Sequence, residues 1–247
     1  MAETSKHREG TYLGQKGYTI HKSSLSVEEQ RWLRDELMVR PYLPKAPVQP
    51  PAFPVYRESA SKIYVPRHFG VATYGPADEN RMPQGDAVSL EFKGDLRDYQ
   101  KRIVDAYLGC VSRDEGGGGL LEVPCGRGKT VIALNLLARL GRKTLVVVHK
   151  SFLMNQWIER IEQFLPVARV GRIQGQEIDI EDKDIVLGML QSLSMKDYAP
   201  GTFGSFGLTI VDECHHISSE VFSRSLLKIV TPCTLGLSAT MQRKDGL

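Results

Sequence analysis

The densest concentration of chemistry in the sequence is Val123-Pro124-Cys125-Gly126-Arg127-Gly128-Lys129-Thr130, which follows an apolar run (Leu120 to Val123) and opens a stretch of helix formers reaching Leu140 before Gly141. Glycines at such a strand-to-helix junction let several backbone N–H groups converge, and the helix amino terminus adds a dipole favourable to anions. A polyphosphate is the ligand this suits. Lys129 would reach the β and γ phosphates, and the Thr130 hydroxyl would ligate Mg²⁺. The segment departs from the usual GxxxxGK[ST] pattern in having Val123 where the first glycine is expected. Taken alone, it could be a simple glycine turn.

A second cluster supports the phosphate reading. Leu208-Thr209-Ile210-Val211 runs directly into Asp212-Glu213-Cys214-His215, and an apolar strand ending in an acidic pair would present carboxylates at the carboxyl edge of a parallel sheet. Asp212 would hold Mg²⁺, directly or through water, and Glu213 would orient or deprotonate an attacking water. In isolation an Asp-Glu pair is an ordinary solvated strand end. Its position downstream of a phosphate-binding loop is what gives it weight.

These residues need a scaffold, and the pattern from Leu90 onward supplies one. A helix is expected from Asp95 to Cys110, then a flexible loop at Gly116 to Gly119. Short apolar runs follow at Leu120 to Val123, Leu145 to Val148, Ile185 to Leu187, Leu208 to Val211 and Thr234 to Leu237. Alternation of such runs with helical stretches indicates βαβ units around a mostly parallel sheet covered by helices on both faces. Leu153, Trp157, Ile161 and Leu165 recur at four-residue steps, as do Phe222, Leu226 and Val230; these stripes read as sheet-facing sides of helices.

Upstream lies a different composition, read as a small α+β accessory region over residues 1–86, with the α/β domain from 87 to 247. Residues 1–24 show no apolar periodicity. Ser26 with Glu29 forms a capping box ahead of a helix expected from Val27 to Val39, stopped by Pro41. A proline-punctuated strap follows through Pro54, then a hairpin pairing Val55-Tyr56-Arg57 with Ile63-Tyr64-Val65, then turn-rich sequence from Gly70 to Gly85. Tyr56, Arg57, Lys62, Tyr64, Arg67, His68 and Phe69 could grip nucleic acid, but packing of the accessory region is the favoured reading.

Composition narrows the class. The 247 residues are 41% hydrophobic and 25% charged, enough for a core, with net charge +3 and pI near 8.6. The mild basicity suits a phosphate-backbone partner or an ordinary surface. No apolar run approaches the ~20 residues of a membrane span, and the amino terminus lacks a signal-peptide core, so an intracellular protein is expected. Cys110, Cys125, Cys214 and Cys233 are spaced as free thiols, without zinc-type pairs.

Three ordered segments, Gly126-Arg127-Gly128-Lys129-Thr130, Asp212-Glu213-Cys214-His215 and Ser238-Ala239-Thr240, resemble motifs I, II and III of superfamily 2 helicases. The resemblance runs from about Leu96 to Leu247 and implies a RecA-like P-loop NTPase lobe using ATP and Mg²⁺. It further implies that Leu96-Arg97-Asp98-Tyr99-Gln100 contacts adenine, with Arg97 and Gln100 at the matching positions. Pro124, Cys125, Gly126, Arg127, Gly128, Lys129 and Thr130 would wrap the phosphates. His215 would couple the nucleotide site to Ser238 and Thr240. Val146 to Lys150 with Ser151 and Gln156 is similar to motif Ia, and Gly171-Arg172 to the next segment, so that Lys150 and Arg172 would touch a sugar-phosphate backbone. The residues from Leu235 to Leu247 resemble the XPB-type transcription and repair branch, and Ile185 to Tyr198 the helicases of large DNA viruses.

The implied activity is ATP-dependent unwinding of, or translocation on, nucleic acid, with DNA favoured over RNA and a transcription or repair complex as setting. The compartment would be nucleus or cytoplasm, or a viral factory or virion for a viral protein. Because the sequence stops just past motif III, the second RecA-like lobe and its arginine finger are expected in a longer parent, and this fragment is expected to hydrolyse ATP poorly alone. A double-strand translocase and a nucleotide-regulated binding module are the alternative readings.

Overall fold

A computed structural model describes residues 8–42, 47–111, 117–216 and 220–240. The chain divides into two compact units. One gathers residues 8–82 with 220–230, and the other residues 83–216 with 231–240.

The first unit is built on a five-stranded sheet of order β5-β6-β2-β1-β7, comprising β1 (Tyr12–Gly14), β2 (Gly17–His21), β5 (Arg57–Glu58), β6 (Lys62–Val65) and β7 (Glu79–Asn80). Helix α1 (Val27–Glu36) begins with the expected capping box. Ser26 Oγ accepts from the Glu29 N–H at 3.1 Å, and Glu29 Oε2 accepts from the Ser26 N–H at 3.0 Å. The helix ends at Glu36, short of the expected Val39, because β3 (Met38–Val39) pairs with β4 (Phe53–Pro54). Part of the expected proline strap is therefore a strand; Pro44 lies outside the described residues. Leu33 on the helix and Leu37 at its C-cap are buried.

Residues 1–24, read as aperiodic, in fact contain the β1–β2 hairpin. Only Leu13, Tyr18 and Ile20 point into its core, too few for a period to stand out. The hairpin predicted over 55–65 forms with Arg57 opposite Tyr64, so Val55 and Tyr56 fall outside it. Helix α2 (Arg67–Tyr74) lies where turn was expected to begin. Gly70 there is a close-approach glycine, since a Cβ would stand 2.3 Å from Tyr18 Cγ. Val230, expected on the α/β lobe, packs against this first core.

The second unit carries a seven-stranded sheet in the order β11-β10-β12-β9-β13-β14-β8. Its strands are β8 (Gly117–Glu122), β9 (Thr144–Val148), β10 (Val170–Gln174), β11 (Glu177–Ile178), β12 (Ile185–Met189), β13 (Leu208–Asp212) and β14 (Cys233–Ser238). Every pairing is parallel except β10 with β11. All five residues of β9, β12 and β13 are buried, which is why these strands stand out as continuous apolar runs. Helices α3 (Asp98–Val111), α4 (Lys129–Leu140), α5 (Ser151–Phe164) and α6 (Leu190–Met195) connect or pack on the strands, whereas α7 (Glu220–Leu226) belongs to the first unit.

The glycine run departs from expectation. Gly117, Gly118 and Gly119 form the start of β8 opposite Cys233, Thr234 and Leu235, while Gly116 lies outside the described residues. A Cβ at Gly117 would stand 2.3 Å from the Cα of Val111, so the absent side chain lets the strand pass under the end of α3. Strand β10 was also missed. At one margin of the sheet, its burial alternates around Ile173 and leaves no apolar run.

Asp184 fixes the approach to β10 and β12, accepting from the Arg169 N–H at 2.8 Å, from Nε at 3.1 Å and from an Nη at 2.7 Å. Burial tends to raise its carboxyl pKa, but the Arg169 contacts win and hold it below the usual aspartate value. Asp184→Ala is expected to cost about 1–3 kcal/mol at pH 7, mostly through loss of the charge-assisted hydrogen bonds from the Arg169 guanidinium. The ionised partnership contributes fully above the unfolded carboxyl pKa of about 3.9 and is lost as pH falls through the lower folded value. Urea melts should therefore show the gap between wild type and variant narrowing below about pH 4; a gap constant from pH 7 to 3 would exclude this origin.

Candidate nucleotide site

Strand β8 delivers the loop. The Val123 N–H donates to Ser238 O at 2.9 Å, extending the ladder to β14 one residue beyond β8, and its side chain is buried in the core. This accounts for a valine where the usual pattern has glycine: the position here belongs to the strand. The loop then turns, with the Arg127 N–H donating to Pro124 O at 3.2 Å. Gly126 and Gly128 take left-handed conformations, at φ 75° and 78°, which side chains resist. A Cβ at Gly128 would also stand 2.6 Å from Gln100 Nε2. Gly128 is the N-cap of α4, so no side chain occupies the first amides of that helix, the arrangement a phosphate requires.

The loop is held from behind. Tyr99 Oη donates to Arg127 O at 2.7 Å, and Gln100 Nε2 donates to the same oxygen at 3.2 Å, while Gln100 Oε1 accepts from the Arg97 N–H at 2.9 Å. Gln100, expected to face a base, thus also braces the loop, and Tyr99 is a contributor the sequence reading did not single out. A cleft of about 620 Å³ opens here, its walls including Arg97, Gln100, Gly128, Lys129, Thr130 and Asp212. Gly126 and Arg127 also line it, whereas Pro124 and Cys125 are exposed outside the lining. The volume is ample for a nucleotide.

Strand β13 brings the carboxylates. Asp212 is buried, with Oδ2 accepting from Trp157 Nε1 at 2.9 Å and Oδ1 from the Glu213 N–H at 3.0 Å. Burial pushes the Asp212 carboxyl upward, opposed by the indole donor. Glu213 follows in a left-handed conformation, φ 51°, unusual for a side-chain-bearing residue and of the kind that functional sites retain. That turn sends its carboxylate to within 3.8 Å of Lys129 Nζ and 3.4 Å of His215 Nδ1. His215 Nδ1 is also 2.9 Å from Ser238 Oγ, which accepts from the Thr240 N–H at 3.2 Å and donates to Thr240 O. Lys129, Glu213, His215, Ser238 and Thr240 thereby form one connected chain from the start of α4 across the ends of β13 and β14.

The two expected backbone-contacting cations are placed differently. Lys150 is exposed and is the N-cap of α5, just past β9. Arg172 lies in the middle of β10, exposed and 3.9 Å from Glu177 Oε2 of β11. Three strand spacings, roughly 14 Å, separate β10 from β13, so Arg172 does not join the cluster above.

The chemistry of the donors suits a Mg-nucleotide: glycine amides and Lys129 for phosphate, the Thr130 hydroxyl and Asp212 for a hard cation. Among the described residues there is no group of three or more His, Cys, Asp or Glu side chains that could hold a metal. No helix among them is long and apolar enough to cross a membrane.

Comparison with known proteins agrees with this geometry. The family described as "Type III restriction enzyme, res subunit" matches residues 93–243. A protein of Acanthamoeba polyphaga mimivirus named for ATP-dependent RNA helicase activity, L396, is 33% identical over 238 residues, 94% of this chain and 45% of its own. The DNA 3'-5' translocase XPB2 of Sulfurisphaera tokodaii is 36% identical over 157 residues, 64% of this chain and 33% of its own. The chain thus spans less than half the length of these relatives. Among solved structures, the Sulfolobus solfataricus SWI2/SNF2 ATPase core in complex with dsDNA superposes with a TM-score of 0.52 at 20% identity, over 66% of this chain and 36% of that one, a likeness of fold. Matched family, shared fold and the P-loop and Asp-Glu geometry coincide on one segment: the chain belongs to the type III restriction enzyme res-subunit family of superfamily 2 helicases and contains their first RecA-like lobe.

Proposed function

We propose that this chain is the ATP-binding lobe of a superfamily 2 motor that hydrolyses ATP to move on or unwind DNA, with Mg²⁺ as accompanying ion and transcription or repair as setting. The observation that carries the reading is the chain of contacts that runs from Lys129, which lines the cleft, through Glu213 to the His215–Ser238 pair. A solitary phosphate-binding loop would need no such chain. Bound Mg²⁺ would supply charge neutralisation at the transferring phosphoryl group. The protein's own part is positional: the Gly126–Thr130 backbone cradles phosphate, Lys129 places a cation beside it, and Glu213 aligns water. His215 reports the state of that carboxylate to Ser238 and Thr240.

The XPB2 relative, named a DNA translocase, supports DNA over RNA, although the L396 name points to RNA. The parent protein is proposed to carry the second RecA-like lobe, as the greater length of the relatives allows. Steady-state ATP hydrolysis by the full protein, with single-stranded DNA, duplex DNA or RNA, tests the reading. Stimulation by DNA above RNA is expected. Stimulation by duplex without strand separation would favour a translocase. Mg-ATP binding without turnover under every condition would leave a nucleotide-regulated binding module.

A further inference from the structure

Trp157 sits on α5 in the stripe that reads from sequence as plain core. Its ring is indeed core, 1% exposed and packed in the main apolar cluster. Its Nε1 is not core-like, because it donates at 2.9 Å to Oδ2 of Asp212, a carboxylate buried at the end of β13. Oδ1 of the same carboxylate takes the Glu213 N–H at 3.0 Å. Each oxygen of Asp212 is thus fixed by one donor, one from its own chain turn and one from a separate helix.

We propose that Trp157 is a positioning residue for the nucleotide site, its indole N–H fixing the Asp212 carboxylate in the orientation that receives Mg²⁺. The inference rests on the nucleotide reading above and adds a residue and a role to it. Carboxylates that bind metals are oriented by hydrogen bonds from outside the ligand set, and loss of such a partner costs metal affinity. An indole suits this position because it offers a single N–H donor and no acceptor, and its large apolar body locks the donor in place. It also cannot compete with Asp212 for the cation. The helix itself is anchored, since α5 packs on β9, β12 and α4, so the donor is carried by a rigid element rather than a loop.

A purely structural tryptophan would make the same ring contacts and donate to whichever acceptor lay nearby. The two cases separate on metal dependence. In Trp157→Phe the ring is kept and the N–H removed. ATP affinity is measured by calorimetry on the full chain, once with excess Mg²⁺ and once in EDTA. The proposal expects the gain in affinity that Mg²⁺ confers on wild type to shrink by roughly 10–100-fold, while affinity in EDTA changes by less than about twofold. A variant that is less stable yet retains the wild-type Mg²⁺ gain overturns it.

Should Trp157→Phe not fold, Trp32→Phe provides the second measurement. Trp157 is then the sole tryptophan, because the chain has two, and Trp32 is 44% exposed in the other unit. Trp157 emission should change on addition of Mg²⁺ with ADP and stay constant with ADP in EDTA. Emission that ignores Mg²⁺–ADP overturns the positioning role. Failure of wild type to bind ATP with or without Mg²⁺ is a distinct result, and it removes the nucleotide reading on which the role depends.

Discussion

Glu213→Gln is expected to lower ATP hydrolysis by about 10²–10⁴-fold while leaving Mg-ATP bound, the range over which a positioned general base contributes. The side chain is set up for that single task. Its left-handed backbone turns the carboxylate away from the strand axis and into the space beside Lys129 and His215. The amide of glutamine has the same shape, so the 3.0 Å bond from the residue 213 N–H to Asp212 survives and the cation-binding carboxylate keeps its orientation. What disappears is the capacity to accept a proton, and with it one charge next to the phosphate cradle. Removing that negative charge should, if anything, tighten ATP. Single-turnover hydrolysis and equilibrium ATP affinity on the same preparation separate the two effects. Hydrolysis within a few-fold of wild type would take Glu213 out of the reaction and move attention to a base outside this lobe.

The cluster was legible in sequence because polyphosphate chemistry constrains both residue type and order. Gly126, Gly128, Lys129 and Thr130 must lie within one turn, and Asp212-Glu213 must end a strand, so linear spacing carries most of the geometry. The buried strands β9, β12 and β13 were legible for a related reason: burial on both faces leaves an uninterrupted apolar run. What the sequence concealed were features decided by neighbours distant along the chain. Gly117 to Gly119 look like a flexible linker until Val111 and Tyr107 of α3 are seen against Gly117 and Gly119, and Gly70 looks like a turn until Tyr18 is placed beside it. Strand β10 exposes alternate residues, and Arg172 therefore reads as a loop cation when it is a strand residue paired with Glu177.

Tyr99 and Trp157 belong to the same class. Each is an aromatic residue on a helix, Trp157 buried in the apolar stripe of α5 and Tyr99 half-buried in the first turn of α3, and in each the single polar atom makes the functional contact: Tyr99 Oη on the P-loop carbonyl of Arg127, Trp157 Nε1 on Asp212. Periodicity weighs a whole side chain as apolar or polar, so it has no means of registering one donor at the tip of an aromatic ring. The signal available was positional. Tyr99 stands immediately before Gln100, and Trp157 immediately after Gln156, both members of segments already matched to motifs.

Lys129→Ala is the complementary change, and ATP affinity should fall by about 10–100-fold, corresponding to loss of a charge-assisted hydrogen bond of roughly 1.5–3 kcal/mol. The lysine is the first residue of α4, its side chain only 12% exposed and its ammonium 3.8 Å from Glu213 Oε1. That contact is a weak ion pair at a long distance, and phosphate oxygens would be the stronger partner. In Lys129→Ala the carboxylate of Glu213 is left facing the phosphate cradle without a cation, so part of the loss comes from repulsion of the nucleotide. The two sources can be separated by the double variant Lys129→Ala with Glu213→Gln. If repulsion contributes, neutralising residue 213 recovers part of the lost affinity, and the recovery should be larger for ATP than for ADP because the added charge is on the γ phosphate. Equal losses in single and double variants would mean that Lys129 acts on phosphate alone, with Glu213 too distant or too solvated to oppose it. Unchanged ATP affinity in Lys129→Ala would remove the lysine from the phosphate site altogether and with it the observation on which the proposed function stands.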